Sequence, residues 1–226
     1  TLDDIILDER TLKQVKEFKE EIPNLLFVGN PGTGKTTLAR IIVNDVLGCN
    51  YLYINASDES GIDTIRHSIT NFAQTKSFDG KVKVVILDEA DGLTTQAQSA
   101  LRNTMETYAK YCRFILTANY KHKIIPALQS RCQALDIKPV VELAVKRCYN
   151  ILKDEKITVP EEQKKKFVQL VKRHFPDLRK TINELQKNII DSELCIVSVT
   201  GDNELLEAVY KKIASKNSLE ARRYLI

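Results

Sequence analysis

The run GNPGTGKTT, residues 29–37, has the spacing G-x-x-x-x-G-K-T. It lies between an apolar stretch and a helical one, the context this pattern needs to be more than a flexible turn. Its glycines let backbone N–H groups curl around phosphate oxygens, at a helix start whose dipole favours anions. Gly29, Asn30, Pro31, Gly32, Thr33, Gly34, Lys35, Thr36 and Thr37 are therefore expected to hold a nucleotide. Lys35 would reach the β- and γ-phosphates, and Thr36 would offer its hydroxyl to Mg²⁺.

A second run, VVILDEAD at residues 84–91, supplies acids. Four apolar residues bury a strand and bring Asp88 out at its C-terminal end, where α/β sheets bind ligands. Asp88 is expected at the metal, and Glu89 is expected to orient and activate a water. The two runs together point to hydrolysis of a nucleoside triphosphate. Asp88, Glu89, Ala90 and Asp91 also spell a helicase signature. A helicase of that kind uses two large α/β domains, and this chain has room for one.

The chain has 226 residues, 43% hydrophobic and 28% charged. That fits an ordinary globular protein with one large domain and a smaller one. No apolar run approaches the roughly 20 residues of a membrane span, and no signal-peptide pattern opens the chain. Thr1, not Met, comes first, so a missing or processed N-terminus is expected. Cys49, Cys112, Cys132, Cys148 and Cys195 show no C-x-x-C spacing, which argues against zinc or a disulfide framework and for reduced thiols in the cytoplasm. His67, His122 and His174 stand apart and are expected on the surface or in packing. The net charge of +4 is too small to imply nucleic acid by itself. Between Arg102 and Arg131, however, Arg102, Lys110, Arg113, Lys121, Lys123 and Arg131 face one acid, Glu106. Such a belt suits phosphates, or a solvated face.

The elements that must position these residues alternate. Runs at 24–29, 51–55, 82–88, 113–118 and 134–138 have the apolar character of buried strands. Between them, Leu38, Ile41, Ile42 and Val46 form one helical face; Ile62, Ile65, Ile69 and Phe72 form a second; Ala97, Leu101 and Met105 form a third. This alternation predicts an α/β domain over residues 1–138, with a parallel sheet covered by helices. After Lys138 the pattern turns helical, with Pro139, Pro160 and Pro176 expected in first helical turns. A small all-helical domain is expected over 139–199, and 200–226 is expected to begin an incomplete third unit.

The stretch GLTTQAQSALRNTMETYAKYCRFILTANYKHKIIPALQSRC, residues 92–132, resembles the sliding-clamp loader ATPases of the AAA+ superfamily. The likeness is to replication factor C small subunits and, in SFDG and FPDLRKTINEL, to the large subunit of the T-even phage loader. It extends over essentially all of residues 1–200. It implies a P-loop AAA+ sheet domain, a helical lid and the start of a helical collar. By this resemblance, FILTAN ends in Asn119, a sensor of the γ-phosphate or attacking water. QSRC supplies Arg131 as a finger for a neighbouring subunit's nucleotide. FPDLRKTINEL places Arg179 on the nucleotide, while Leu178, Ile182 and Leu185 would pack the lid. INASDESGID makes Asn55 a switch that restrains Glu89 until DNA binds.

The same likeness makes Arg66 and Arg102 candidates for contacts to DNA phosphates. Phe72 and Phe78 fall on the edge that faces the clamp, with core packing the better role for Phe72. ATP and Mg²⁺ are the implied cofactors. The implied partners are a sliding clamp, primer–template DNA and other loader subunits in a pentameric ring, with no membrane. DDIILDER matches the family's opening segment only loosely, which leaves selectivity for adenine open. The other readings are a different AAA+ machine, such as a helicase loader or protein remodeller, and a scaffold subunit that binds nucleotide without turnover.

Overall fold

A computed structural model describes residues 2–18, 22–57, 62–75 and 81–196, except for the side chains of Asp3 and residues 62–65. Phe78, the SFDG run, the Ile62 and Ile65 side chains and the expected third unit at 200–226 lie outside the described residues.

The first 138 residues carry α1 (Glu9–Glu17), β1 (Leu25–Val28), α2 (Lys35–Ile41), β2 (Tyr51–Asn55), α3 (Ile62–Gln74), β3 (Lys83–Asp88), α4 (Thr95–Thr107), β4 (Cys112–Ala118), the short α5 (Pro126–Gln129) and β5 (Gln133–Asp136). The five strands form one parallel sheet in the order β2-β3-β4-β1-β5. β1, β3 and β4 lie inside it with helices on both faces, so their apolar runs are nearly continuous. The edge strands β2 and β5 are only partly buried.

Alternate residues serve opposite cores. Val85, Leu87, Phe114 and Leu116 pack with Ala97, Leu101 and Met105 of α4, and Phe72 of α3 joins them from its partly buried position. Val84, Ile86 and Ile115 turn the other way, onto Val15 of α1 and Leu38 of α2. The α2 face differs from the expected one. The helix continues as a π turn over Ile42–Val46, and Val43 joins Leu38 and Ile42 in the core while Ile41 is only half-buried. The wider turn rotates the apolar face by a residue.

The lid follows with α6 (Val141–Asp154), α7 (Lys164–His174) and α8 (Leu178–Lys187), packed around Ala144, Cys148, Phe167, Leu170, Val171 and Leu185. Ile6, from the opening segment, is buried in this third core. The lid is helical but not wholly so. β6 (Ile189–Ile190) and β7 (Glu193–Leu194) pair antiparallel across Asp191 and Ser192, both at positive φ. Two-residue strands are too short to show a period of two.

The prolines also sit differently. Pro139 precedes the N-cap of α6, Pro160 is itself the N-cap of a 3-10 turn, and Pro176 precedes the Asp177 N-cap of α8. They end the incoming chain; they do not occupy the first turn. Pro126 does that, at the start of α5.

Candidate nucleotide site

Because β3, β4 and β1 are parallel neighbours, their C-terminal ends bring three segments side by side. These are the Asp88–Glu89 pair, Asn119, and the loop that opens at Gly29. The juxtaposition expected between the loop and the acids is therefore built by strand order alone.

The loop needs its glycines. Gly32 and Gly34 have φ of +74° and +90°, a left-handed region that costs other residues energy. At Gly32 a side chain would also collide with the Asp177 carboxylate, because the lid closes on this point: Leu178 N–H donates to the Gly32 carbonyl at 3.1 Å. Gly34 caps α2 without any side-chain bond, so the helix start keeps its donors for an anion. Thr33 ties the loop internally, donating to the Asn30 carbonyl at 2.8 Å.

Lys35 is 8% exposed and donates to three acceptors: the carbonyls of Gly29 and Asn30, each at 2.9 Å, and Asn119 Oδ1 at 2.8 Å. Burial lowers its pKa, opposed by the charges of Asp88, Asp91 and Glu89. Lys35 also lines the cavity above the loop.

Asp88 is as buried as Lys35 and accepts from three hydroxyls. Thr36 Oγ1 lies 2.8 and 2.9 Å from its two oxygens, Thr117 Oγ1 lies 2.5 Å from Oδ1, and the Tyr53 phenol lies 2.8 Å from Oδ2. The Thr36 proton is thus committed to Asp88, leaving the oxygen's lone pairs for a cation. Among the described residues no cluster of three or more His, Cys, Asp or Glu could cage a metal. The oxygen donors of Thr36 and Asp88 beside the loop fit Mg²⁺, which takes few protein ligands and shares its shell with phosphates and water.

Glu89 sits at φ +54°, a conformation that turns its side chain away from the strand. Its N–H donates to Thr117 Oγ1 at 2.9 Å, so Thr117 holds both acids. The Glu89 carboxylate accepts from the Ser57 hydroxyl. Asn55 ends β2 beside Asp88, and its Oδ1 accepts the Ser57 N–H at 3.2 Å. Ser57 is thus the residue seen on Glu89, with Asn55 supporting it. Asp91 fixes the sensor segment, accepting from Asn119 and Tyr120 N–H at 3.2 Å each.

Above these groups opens a cavity of about 600 Å³ lined by residues 31–37, Asp88, Glu89, Thr117, Asn119 and Arg179. Its lining also includes the apolar Ile5, Ile6, Ile41, Ile151 and Ile182. There Asp4 and Arg147, 2.8 Å apart, join the opening segment to α6. Ile182 is 39% exposed here and does not pack the lid core as its spacing suggested; Thr181 is buried in the lid instead. Arg179 of α8 lines the cavity.

The remaining candidates stand outside the cavity lining. Arg131 pairs with Glu106 through Nε and Nη2, and its Nη1 donates to the Ala127 carbonyl at 2.8 Å. Arg66 is exposed on α3 and Arg102 half-buried on α4, two helices that pack together. Arg102 donates to the neighbouring Asn103 Oδ1 at 2.7 Å. Tyr53, Ser57, Thr117 and Gln98 belong to no motif that marks them in the sequence. Gln98, 2% exposed, donates to the Leu93 and Lys123 carbonyls and accepts from Ile125 N–H, tying α4 to the segment after Asn119. A polar residue beside the apolar face of an amphipathic helix is the available signal.

Comparison with known proteins agrees with this geometry. Residues 25–139 match the ATPase family associated with various cellular activities (AAA), and 136–194 match the AAA+ ATPase lid domain of the sliding-clamp-loader large subunit. A replication factor C small subunit of Archaeoglobus fulgidus is 38% identical, covering 100% of this chain and 74% of the relative. The one from Methanococcus vannielii is 40% identical over 95% of this chain and 67% of the relative. Replication factor C subunit 3 of Blastobotrys adeninivorans is 38% identical over the whole chain and 66% of its own length. With a phosphate loop, an acidic strand end and a clamp-loader lid in one chain, the protein belongs to the AAA+ ATPases and, within them, to the replication factor C small-subunit family.

Proposed function

We propose that this chain is an ATP-hydrolysing subunit of a sliding-clamp loader, with its chemistry in the cavity between sheet and lid. The observation that carries this reading is the convergence of Lys35, Thr36, Asp88, Glu89, Asn119 and Arg179 on that one cavity.

In this reading the loop N–H groups and the Lys35 ammonium bind the β- and γ-phosphates, and Arg179 reaches the nucleotide from the lid. Thr36 and Asp88 hold Mg²⁺. Mg²⁺ held there would supply positive charge against the phosphate oxygens. Glu89 takes a proton from the attacking water once Ser57 releases it, and Asn119 positions that water or the γ-phosphate. Arg131 acts on the nucleotide of the next subunit, so turnover needs a ring of loader subunits, five in the family pattern. The opening segment and Ile182 border the end of the cavity where the base would lie.

Primer–template DNA is held through phosphates by Arg66 and Arg102, which fits contacts that position a duplex without reading its sequence. The clamp is the other partner, and DNA replication in the cytoplasm is the setting. The test is ATP turnover by the assembled loader, measured alone, with clamp, and with clamp plus primer–template DNA. Stimulation by the last combination is expected. Equal turnover in all three conditions would reject a clamp-loading role.

A further inference from the structure

The Asp88 carboxylate has a partner that neither the phosphate loop nor the sensor strand supplies. On β2, Tyr53 stands in register with Ile86 of β3, and Asp88 follows two residues later on the same face. A residue as long as tyrosine can span that diagonal between strands. Its phenol reaches Asp88 Oδ2 at 2.8 Å. This is also the face on which α2 packs.

Along α2, Thr36 and Arg40 are one turn apart and share a side of the helix. Thr36 donates to Asp88, and the Arg40 guanidinium lies over the Tyr53 ring, 4.7 Å from its centroid. Four side chains thus close a ring: Thr36 to Asp88, Asp88 to Tyr53, Tyr53 to Arg40, and Arg40 back to Thr36 along the helix. Tyr53 bonds the one carboxylate oxygen that Thr117 leaves to Thr36 alone.

We propose that Tyr53, steadied by Arg40, is a positioning residue that fixes the Asp88 carboxylate for Mg²⁺ at the nucleotide site. The inference rests on the nucleotide-binding reading given above. Its physical basis is orientation. With Oδ1 held by Thr117 and Oδ2 by Tyr53, the carboxylate cannot rotate about its last bond, and the Thr36 proton stays between the two oxygens. Without the phenol, part of that ordering would fall to the binding of the ion. Partners of metal-site ligands at this remove are typically worth 10- to 100-fold in metal affinity.

Tyr53→Phe removes the O–H and keeps the ring under Arg40. The experiment titrates a fluorescent ATP analogue into the full chain in EDTA and across a Mg²⁺ series. In the substituted chain, EDTA affinity should stay within about twofold, and the Mg²⁺ midpoint should rise about tenfold. Arg40→Gln should shift the midpoint in the same direction by less, and by almost nothing in the Tyr53→Phe background, because the two act through one contact. An unchanged midpoint in Tyr53→Phe overturns the proposal. So does a matching loss of affinity in EDTA, which would mean damage to the loop. Absence of any Mg²⁺ effect in the unsubstituted chain overturns the nucleotide-site reading itself, and is recognised because it appears without substitution.

Discussion

The Lys35 ammonium and the Asn119 amide oxygen are hydrogen-bonded at 2.8 Å, joining the phosphate loop to the end of β4. The bond gives each residue a defined place relative to the other across 84 residues of sequence. It also makes a phosphate oxygen in the loop compete with Asn119 for a Lys35 donor. In the proposed reading, occupation of the loop would free the Asn119 side chain for the γ-phosphate or water.

Lys35 and Glu89 should consequently fail in different ways. Lys35→Ala removes the buried cation facing the phosphates and should abolish nucleotide binding. Glu89→Gln keeps shape and loses the base, so binding should hold within about twofold while turnover stops. Calorimetric affinity and turnover measured on both variants separate these roles. Equal loss of affinity in the two would reject the division.

Ser57 offers a sharper test of control. Its hydroxyl is bonded to the Glu89 carboxylate, and Asn55 braces the Ser57 backbone. A carboxylate oxygen engaged in this way is not free to approach a water. Ser57→Ala should raise ATP turnover in the assembled loader without DNA by a few-fold and shrink the stimulation by DNA. Asn55→Ala should do the same more weakly, since it acts through Ser57. Unchanged basal turnover in Ser57→Ala would leave the contact without a regulatory role.

Much of this site was legible before any coordinates. All five sheet strands lie within two residues of their expected ends, because buried parallel strands show as unbroken apolar runs. The loop, Asp88, Glu89, Asn119 and Arg179, all expected at one nucleotide site, meet around one cavity, since each sits where a strand or helix begins or ends. What escaped was set by tertiary packing. Tyr53 looks like any residue of an apolar strand until its neighbour strand places Asp88 beside it. Ile182 has the spacing of a core residue, but the α8 face turns it to the cavity and buries Thr181. Asp191 and Ser192 turn a hairpin too short to have a pattern.

Burial governs the thiols as well. Desolvation pushes Cys132 up to about 12 and Cys148 to about 11, so both remain protonated at pH 8. Their thiolate fractions there are on the order of one in ten thousand and one in a thousand, against about one in ten for an ordinary thiol of pKa 9.0. Iodoacetamide at pH 8 should leave both unlabelled in the folded chain, and label all five cysteines in denaturant. The sign of the linkage follows. The folded chain keeps protons that the unfolded chain releases, so these two groups support folding fully below about pH 9. That support should fade as pH rises from 9 through about 11 and 12. Rapid labelling of Cys132, which is only partly buried, at pH 8 in the folded chain would contradict the desolvation of its thiol.

Arg131 provides the last prediction. Its guanidinium is held within its own chain by Glu106 and the Ala127 carbonyl, at a surface where its side chain is 36% exposed. An exposed pair of this kind is worth about 0–1 kcal/mol, so breaking it should barely affect folding. Arg131→Ala should therefore melt within a few degrees of the unsubstituted chain and bind ATP with unchanged affinity. Its turnover in the assembled loader is another matter. A finger neutralising charge on a neighbour's phosphate contributes roughly 10³–10⁵ in rate, or about 4–7 kcal/mol of transition-state stabilisation. The loss should fall on the partner's nucleotide and not on the variant's own. In an assembly of identical neighbours, Arg131→Ala subunits mixed with Glu89→Gln subunits should regain partial turnover, at interfaces that join an intact Glu89 to an intact Arg131. Each variant assembled alone should stay inactive. Full activity of Arg131→Ala alone would show that the arginine belongs to its own chain's surface, where Glu106 holds it.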